Sequence, residues 1–356
     1  NKIIDITTAF EVDLKEKLYK FTSGNLRIDK SEFEVIGSIN TAEKLLDLKF
    51  QGLNTNFQSL NSLLSSDLSK HFRDYNSKGN VYFRSSIQGN YGSTSIPSVN
   101  IEFGANNASF FHPSFKKQIE DVNVEGYFTS GKTNRRSTYR LDLKHFSCTL
   151  EDRNLQGSLA LQNFNDYHLD LVLNGEADVN TLLLLMPKKY VKAAFGNVMM
   201  DIHVNGKLKD PKLTQNFNAN GEITLQNLSF VPTGKKLPLN KINGSLMLRN
   251  NDLAVSNLEG FIGSSDFKLN GFVKDISTIF SRKNRQYKMQ ADLQSQFIDF
   301  DELLKSNFAS RDTVSSQNKQ YEFRISPRIT LDFNCEIRRL NFRRFKGKNI
   351  NGNVVI

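Results

Sequence analysis

The sequence predicts a mostly β protein, an elongated, twisted antiparallel sheet, from three observations. Apolar residues recur with a period of two, the chain repeats itself at a spacing near 120 residues, and its apolar content is low for a large enclosed core. Hydrophobic residues make up 38% of 356; exchanging Tyr for Gly in that count gives about 41%, below the ~45–50% of an ordinary globular chain. At ~100–200 residues per domain this length implies two or three modules.

The repeat is anchored by an extended stretch running into a double Leu. Leu46 to Gly52 leads to Leu63-Leu64, Leu169 to Gly175 leads to Leu182-Leu183, and Met289 to Leu293 leads to Leu303-Leu304. Other landmarks keep step: Gly37, Gly157 and Gly271 open matching segments, Ala108-Ser109-Phe110 matches Leu228-Ser229-Phe230, and Gly79-Asn80-Val81 and Gly196-Asn197-Val198 each start the strand after the double Leu. Three units result, 1–98, 99–216 and 217–356, the outer two truncated.

Within a unit, strands are read from alternation. Val198, Met200, Ile202 and Val204 alternate with Met199, Asp201, His203 and Asn205, and Ile329, Leu331, Phe333, Cys335 and Ile337 with Thr330, Asp332, Asn334 and Glu336, which marks strands with one buried face. Turns are expected at Asn243-Gly244, Asn250-Asn251, Asn270-Gly271 and Asn351-Gly352, since Asn and Gly tolerate positive φ. A phase slip between Leu143 and Phe146 predicts a bulge. One short helix per unit is expected at the double Leu, over Asn56 to Arg73 in the first and after the capping-box pattern Asp299-Phe300-Asp301-Glu302 in the third.

Motifs for chemistry fail on context. Gly126 to Thr133 satisfies the phosphate-loop pattern, but a strand-like alternation follows it instead of a helix, so it reads as a hairpin turn. Five His never fall at i,i+4 or beside a Cys, and Ser264-Ser265 reads as a turn, so no metal site, cofactor or nucleophile is expected and the chain is not expected to be an enzyme. Cys148 and Cys335 have no CxxC spacing.

No apolar run approaches the ~18 residues of a membrane helix, the longest being Leu182 to Met186. The chain opens without Met and closes on a strand-like segment, so an anchor is expected outside this window. The net charge of +10 points to an acidic partner, and the excess is concentrated from Tyr321 to Ile356. Arg338, Arg339, Arg343 and Arg344 there read either as a solvated strand edge or as contacts to anionic headgroups; a nucleic-acid partner is not expected. The 28 Phe without Trp are either core or one wall of an apolar groove.

The run Asn218 to Pro232, then Leu237 to Leu246, then Leu258 to Gly271, resembles the C-terminal region of bacterial AsmA/TamB-type envelope proteins, with weaker echoes at 99–161 and 24–64. The resemblance implies a periplasmic body held in the inner membrane by an N-terminal anchor, with an outer-membrane protein partner. It implies a β-gutter related to the chorein-type bridge carriers, along which phospholipid acyl chains pass for outer-membrane biogenesis. On that expectation Val81, Phe83, Ile87, Leu169, Leu171, Leu173, Val198, Met200, Ile202, Val204, Phe267, Leu269, Ile329, Leu331 and Phe333 line the groove. The competing expectation is a structural or assembly-factor envelope protein whose repeats are closed β-sandwiches with no lipid conduit; alternation fits both, because both bury one face.

Overall fold

A computed structural model describes residues 4–28, 31–55, 76–93, 95–112, 117–180, 182, 191–207, 217–232, 237–276, 287–307 and 329–355. Strands take 80% of them and helix 4%, which settles the class as mostly β. The strands are β1 (Ile4–Asp13), β2 (Leu18–Ile28), β3 (Ser31–Asn40), β4 (Leu45–Thr55), β5 (Asn76–Asn90), β6 (Ser98–His112), β7 (Lys117–Thr129), β8 (Arg140–Leu150), β9 (Arg153–Gln162) and β10 (His168–Asp178). They continue with β11 (Val191–Lys207), β12 (Phe217–Pro232), β13 (Leu239–Arg249), β14 (Asp252–Ile262), β15 (Ser265–Lys274), β16 (Tyr287–Ser295), β17 (Ile298–Asp299), β18 (Ile329–Phe342) and β19 (Phe345–Val355). One α-helix of eight residues, α1 (Phe300–Asn307), follows β17.

The chain divides into two compact units, one of residues Asn1–Leu173 with Lys207–Lys209, the other Asn174–Gly206 with Asp210–Ile356. In the first, each strand from β1 to β9 pairs antiparallel with the next, and β10 follows on β9. In the second, β11 to β16 form the same kind of meander, β18 then joins β16 in parallel, and β19 closes the order as a hairpin on β18. The parallel step needs a crossover connection, and α1 lies on it. Both sheets are twisted and open.

Helix α1 starts where the capping pattern places it, with Asp299 Oδ1 accepting the Glu302 N–H at 3.0 Å. The reciprocal half of the capping box is absent. Glu302 turns instead to the β14–β15 turn and accepts from the Ser264 N–H (2.8 Å) and hydroxyl (2.6 Å), while Asp299 N–H donates to Ser265 Oγ. Val179, Asn180 and Leu182 are also helical; the helix expected over 56–73 lies outside the described residues.

Of the four expected turns, Asn250-Asn251 is one. The other three lie inside strands: Asn243-Gly244 in β13, Asn270-Gly271 in β15 and Asn351-Gly352 in β19. Two of these pairs serve bulges. Asn243 Oδ1 accepts the N–H of positive-φ Asn227 at 2.8 Å, and Asn270 Oδ1 that of positive-φ Asn257 at 2.7 Å. At Gly244 (φ +144°) a Cβ would stand 2.7 Å from Leu258 Cα, so the adjacent strand needs a glycine there. Likewise β5 and β11 begin at Asn76 and Val191, ahead of the Gly79 and Gly196 expected to open them. The bulge expected in β8 is present, the register with β9 slipping between Leu143 and Phe146. Gly126 is strand and Gly131 to Asn134 is turn, as the hairpin reading of the phosphate-loop match requires.

Candidate functional site

Directly opposed residues in a ladder share a face, so the registers spell out what each face carries. In the first unit one row runs Leu26, Phe33, Gly52, Phe83, Phe103, Gly126, Leu143, Leu159 across β2 to β9. The next row runs Val35, Phe50, Ser85, Ile101, Phe128, Leu141, Leu161. Rings lie over the two glycines: a Cβ at Gly52 would meet Phe83 at 2.7 Å and Phe33 at 2.9 Å, and one at Gly126 would meet Phe103 at 2.3 Å. Phe33 and Phe83 stand 6.2 Å apart across Gly52. Residues of the other phase, Glu34, Gln51, Arg84, Glu102 and Tyr127, form the opposite row and, with Ile36 and Phe50, line a shallow depression of about 320 Å³.

In the second unit the corresponding row is Met200, Ile223, Leu246, Val255, Gly271, Ala291, Phe333. Beside it runs Ile202, Gly221, Leu248, Leu253, Val273, Met289.

The exposure of these side chains decides between an open face and a closed sandwich. A second layer would bury large apolar side chains nearly completely. Among the described residues, those under 2% exposed are no larger than Thr55, and the buried apolar set leans on Ala105, Ala108, Ala177, Ala194 and Ala219. Phe33, at 4%, is the exception among the rings. Phe50, Phe83, Phe103, Phe128, Ile202, Ile223, Leu246 and Leu269 are half-buried. They cover one another along the sheet and leave their outer surfaces uncovered.

The structure therefore brings Val81, Phe83 and Ile87 onto the apolar face of the first unit, with Val81 opposite Ala105 and Ile87 opposite Leu48. Leu169, Leu171 and Leu173 lie half-buried in β10, alternating with exposed Val172. Val198, Met200, Ile202, Val204, Phe267, Leu269 and Phe333 share the apolar face of the second unit. Ile329 and Leu331 are placed by backbone register alone, opposite Tyr287 and Met289. Phe33, Phe50, Phe103, Phe128, Ile223, Leu246, Leu248 and Val255 are among the residues of the two faces that were absent from the sequence-derived set. The alternation of β3, β6 and β13 carried the signal for Phe33, Phe103, Leu246 and Leu248. The opposite face is not purely polar, since Met199, Met247, Phe261 and Phe272 are exposed there.

Of the four arginines, Arg339 stands with the apolar-face phase of β18, its guanidinium 5.7 Å from the Phe297 ring centre. Arg338 is on the opposite phase, donating to Gln296 Oε1 at 3.3 Å. Arg343 and Arg344 form the β18–β19 turn, with Arg343 N–H donating to Asp301 Oδ2 at 2.7 Å.

Titratable groups offer no acid–base pair on the apolar face among the described residues. Lys144 beside Glu125 (2.6 Å) and Arg140 beside Asp142 are held above their ordinary values by those carboxylates, and Lys144 and Glu125 are both exposed, where such pairs add little. Cys148 and Cys335 both point to the apolar side by register, opposite Leu155 and Leu293. Burial pushes the Cys148 thiol up. Among the described residues no cluster of three or more His, Cys, Asp or Glu is placed to hold a metal ion. No family model, curated protein or solved structure matches the chain.

Proposed function

We propose that this chain is a lipid-carrying protein of the AsmA/TamB type, a non-enzymatic periplasmic body that holds phospholipid acyl chains on its apolar sheet face and passes them between the inner and outer membranes. The observation that carries the reading is the row-by-row continuity of half-buried apolar side chains over the strands of each unit, with no second layer above them among the described residues. Soluble monomers rarely leave such patches open unless something covers them in use. An acyl chain needs only continuous apolar surface, each buried CH₂ contributing about 0.8 kcal/mol. An open face argues against closed sandwiches, which would have buried Phe83 or Leu246 completely.

The reading includes a sheet built from repeats of about 120 residues, each adding a length of gutter, and one structural detail supports it. Asn107, at positive φ, donates its N–H to Asn123 Oδ1, while Asn123 Nδ2 donates to the carbonyl of positive-φ Asp121. The same device recurs 120 positions on with Asn227, Asn243 and Lys241. Gly79 and Gly196, each pressed against the strand beside that bulge at Ala108 and Leu228, match as well.

Lipid extraction and mass spectrometry on protein purified without detergent test the proposal. Phospholipid at several molecules per chain is expected, falling by at least half in a Leu171→Asp, Ile202→Asp variant that keeps its β-sheet circular dichroism. A well-folded protein with no bound lipid would overturn it.

A further inference from the structure

The apolar face of the β18–β19 hairpin ends abruptly in cations. On the phase that carries Phe333, Cys335 and Ile337, the next residue is Arg339, and on β19 the phase that carries Ile350 continues to Lys348 and Lys346. The register is unbroken, with Ile337 opposite Ile350, Arg339 opposite Lys348, and Asn341 opposite Lys346. Arg339 and Lys348 are thus a directly opposed pair of like charges, an arrangement that destabilises a ladder unless an anion lies between them. Both are exposed, as is Lys346, and among the described residues none of the three has an ion-pair partner. The nearest acid on the same row, Asp299 opposite Asn341, already uses a carboxylate oxygen to cap α1. Phe297 holds the Arg339 guanidinium over its ring, which reduces the conformational freedom lost when the fork closes on an oxyanion.

We propose that Arg339, Lys348 and Lys346 form a phosphate-binding rim for the anionic headgroup of a lipid whose acyl chains lie along β18 and β19. The dimensions agree. Phe333 to Arg339 is six steps along the strand, about 20 Å at ~3.3 Å each, enough to lay out the ~15 Å of half a bilayer's hydrocarbon core with the headgroup beyond it. The headgroup then reaches the cations as the tail reaches Phe333. The consequence is selection: lipids carrying net negative charge are held in preference to zwitterionic ones, with each cation contributing about five-fold near a surface. This inference rests on the lipid-carrying reading, and the two can fail separately.

The protein is incubated with vesicles of equal parts phosphatidylglycerol and phosphatidylcholine, re-isolated, and its bound lipids are counted by mass spectrometry. With one selective rim among several bound lipids, enrichment of phosphatidylglycerol of about two-fold over the vesicle ratio is expected for the unaltered protein. In an Arg339→Gln, Lys348→Gln variant the ratio should fall towards that of the vesicles with total bound lipid unchanged, and Arg339→Lys should keep most of the preference. Bound lipid in the vesicle ratio, or enrichment that survives the double variant, overturns the rim while leaving the lipid-carrying reading intact. Absence of bound lipid overturns both. Calorimetry with inorganic phosphate separates the source of the anion. Tight binding that the double variant loses, in a protein that takes up no lipid, would reassign the cations to free phosphate and overturn the headgroup assignment.

Discussion

The apolar faces of the two units are built from different materials. Across β3 to β8 the face is paved with rings laid over glycines, Phe33 and Phe83 flanking Gly52 and Phe103 covering Gly126, and a second group of rings joins Phe128, Tyr139, Phe164 and Tyr167 at centroid distances of 5.6–6.5 Å. Across β11 to β16 it is mainly aliphatic, with Met200, Ile202, Ile223, Leu246, Leu248, Val255 and Leu269 on the face and Phe267 a ring opposite Gly260. A single-layer sheet cannot draw stability from a second layer, so each unit stabilises its own face laterally. Rings achieve this by covering the bare backbone of a neighbouring glycine, and branched aliphatics by mutual contact along the rows. The first solution ties each ring to one small partner; the second has less to lose at any single position.

That difference is most sharply broken at the glycines. Gly126→Ala sets a Cβ 2.3 Å from the Phe103 ring, whereas Gly352→Ala meets only Cys335 Sγ at 3.9 Å. The first should lower stability in urea titrations followed by circular dichroism by about 2–3 kcal/mol. The second should be neutral or raise it by about 0.5 kcal/mol, because Gly in a strand carries an entropic cost. Equal effects would show that the rings over glycine contribute nothing particular.

The next contrast concerns polar side chains that bind the ladder ends. In the second unit Asn251, only 8% exposed, accepts from Ala219 N–H (2.8 Å) and donates to Phe217 carbonyl (2.6 Å). In the first, Ser130, 1% exposed, accepts from Val99 N–H at 2.8 Å and donates to the Gly131 carbonyl over a longer 3.3 Å. Asn251→Ala removes two buried partners and should cost about 2 kcal/mol, and Ser130→Ala about 1 kcal/mol. The reverse order in the same titration would mean that the number of short hydrogen bonds is not what sets the loss.

Where the units share a device, they should respond alike. Asn123→Ala and Asn243→Ala each remove the acceptor for a positive-φ Asn at a bulge, and each should cost about 1 kcal/mol. Losses differing by more than about 1 kcal/mol would speak against equivalent repeats.

The smallest effect is chemical. Burial disfavours the Cys148 thiolate, so in a Cys335→Ser background the pH at which iodoacetamide reacts at half its maximal rate should be higher for folded than for urea-unfolded protein. The corresponding contribution to stability is present at neutral pH and is lost as pH rises from the unfolded thiol's value through the folded one. Identical pH profiles would place the thiol in solvent.

Much of this was legible in the chain. Alternation at Val198 to Val204 identified β11 and its inward phase, the slip between Leu143 and Phe146 marked a real bulge, and the sequence after Gly131 excluded a phosphate loop. Asn-Gly pairs misled because φ tolerance suits a cross-strand bulge as well as a hairpin turn; the choice depends on whether a neighbouring strand lies alongside, as β14 does at Gly244.

Periodicity of two is a local property, written into successive residues because alternate Cβ atoms point to opposite faces. It determined the strands, their apolar phase and the mostly β class without reference to anything distant. Whether that phase is covered is a non-local property, since it depends on whether another layer lies over it. Only the tertiary structure decided that Phe83, Ile202 and Leu246 remain half-open and that Phe103 rests on Gly126. It also decided that Arg339 meets Lys348 at the rim, because all of these follow from strand registers that no short stretch of sequence encodes.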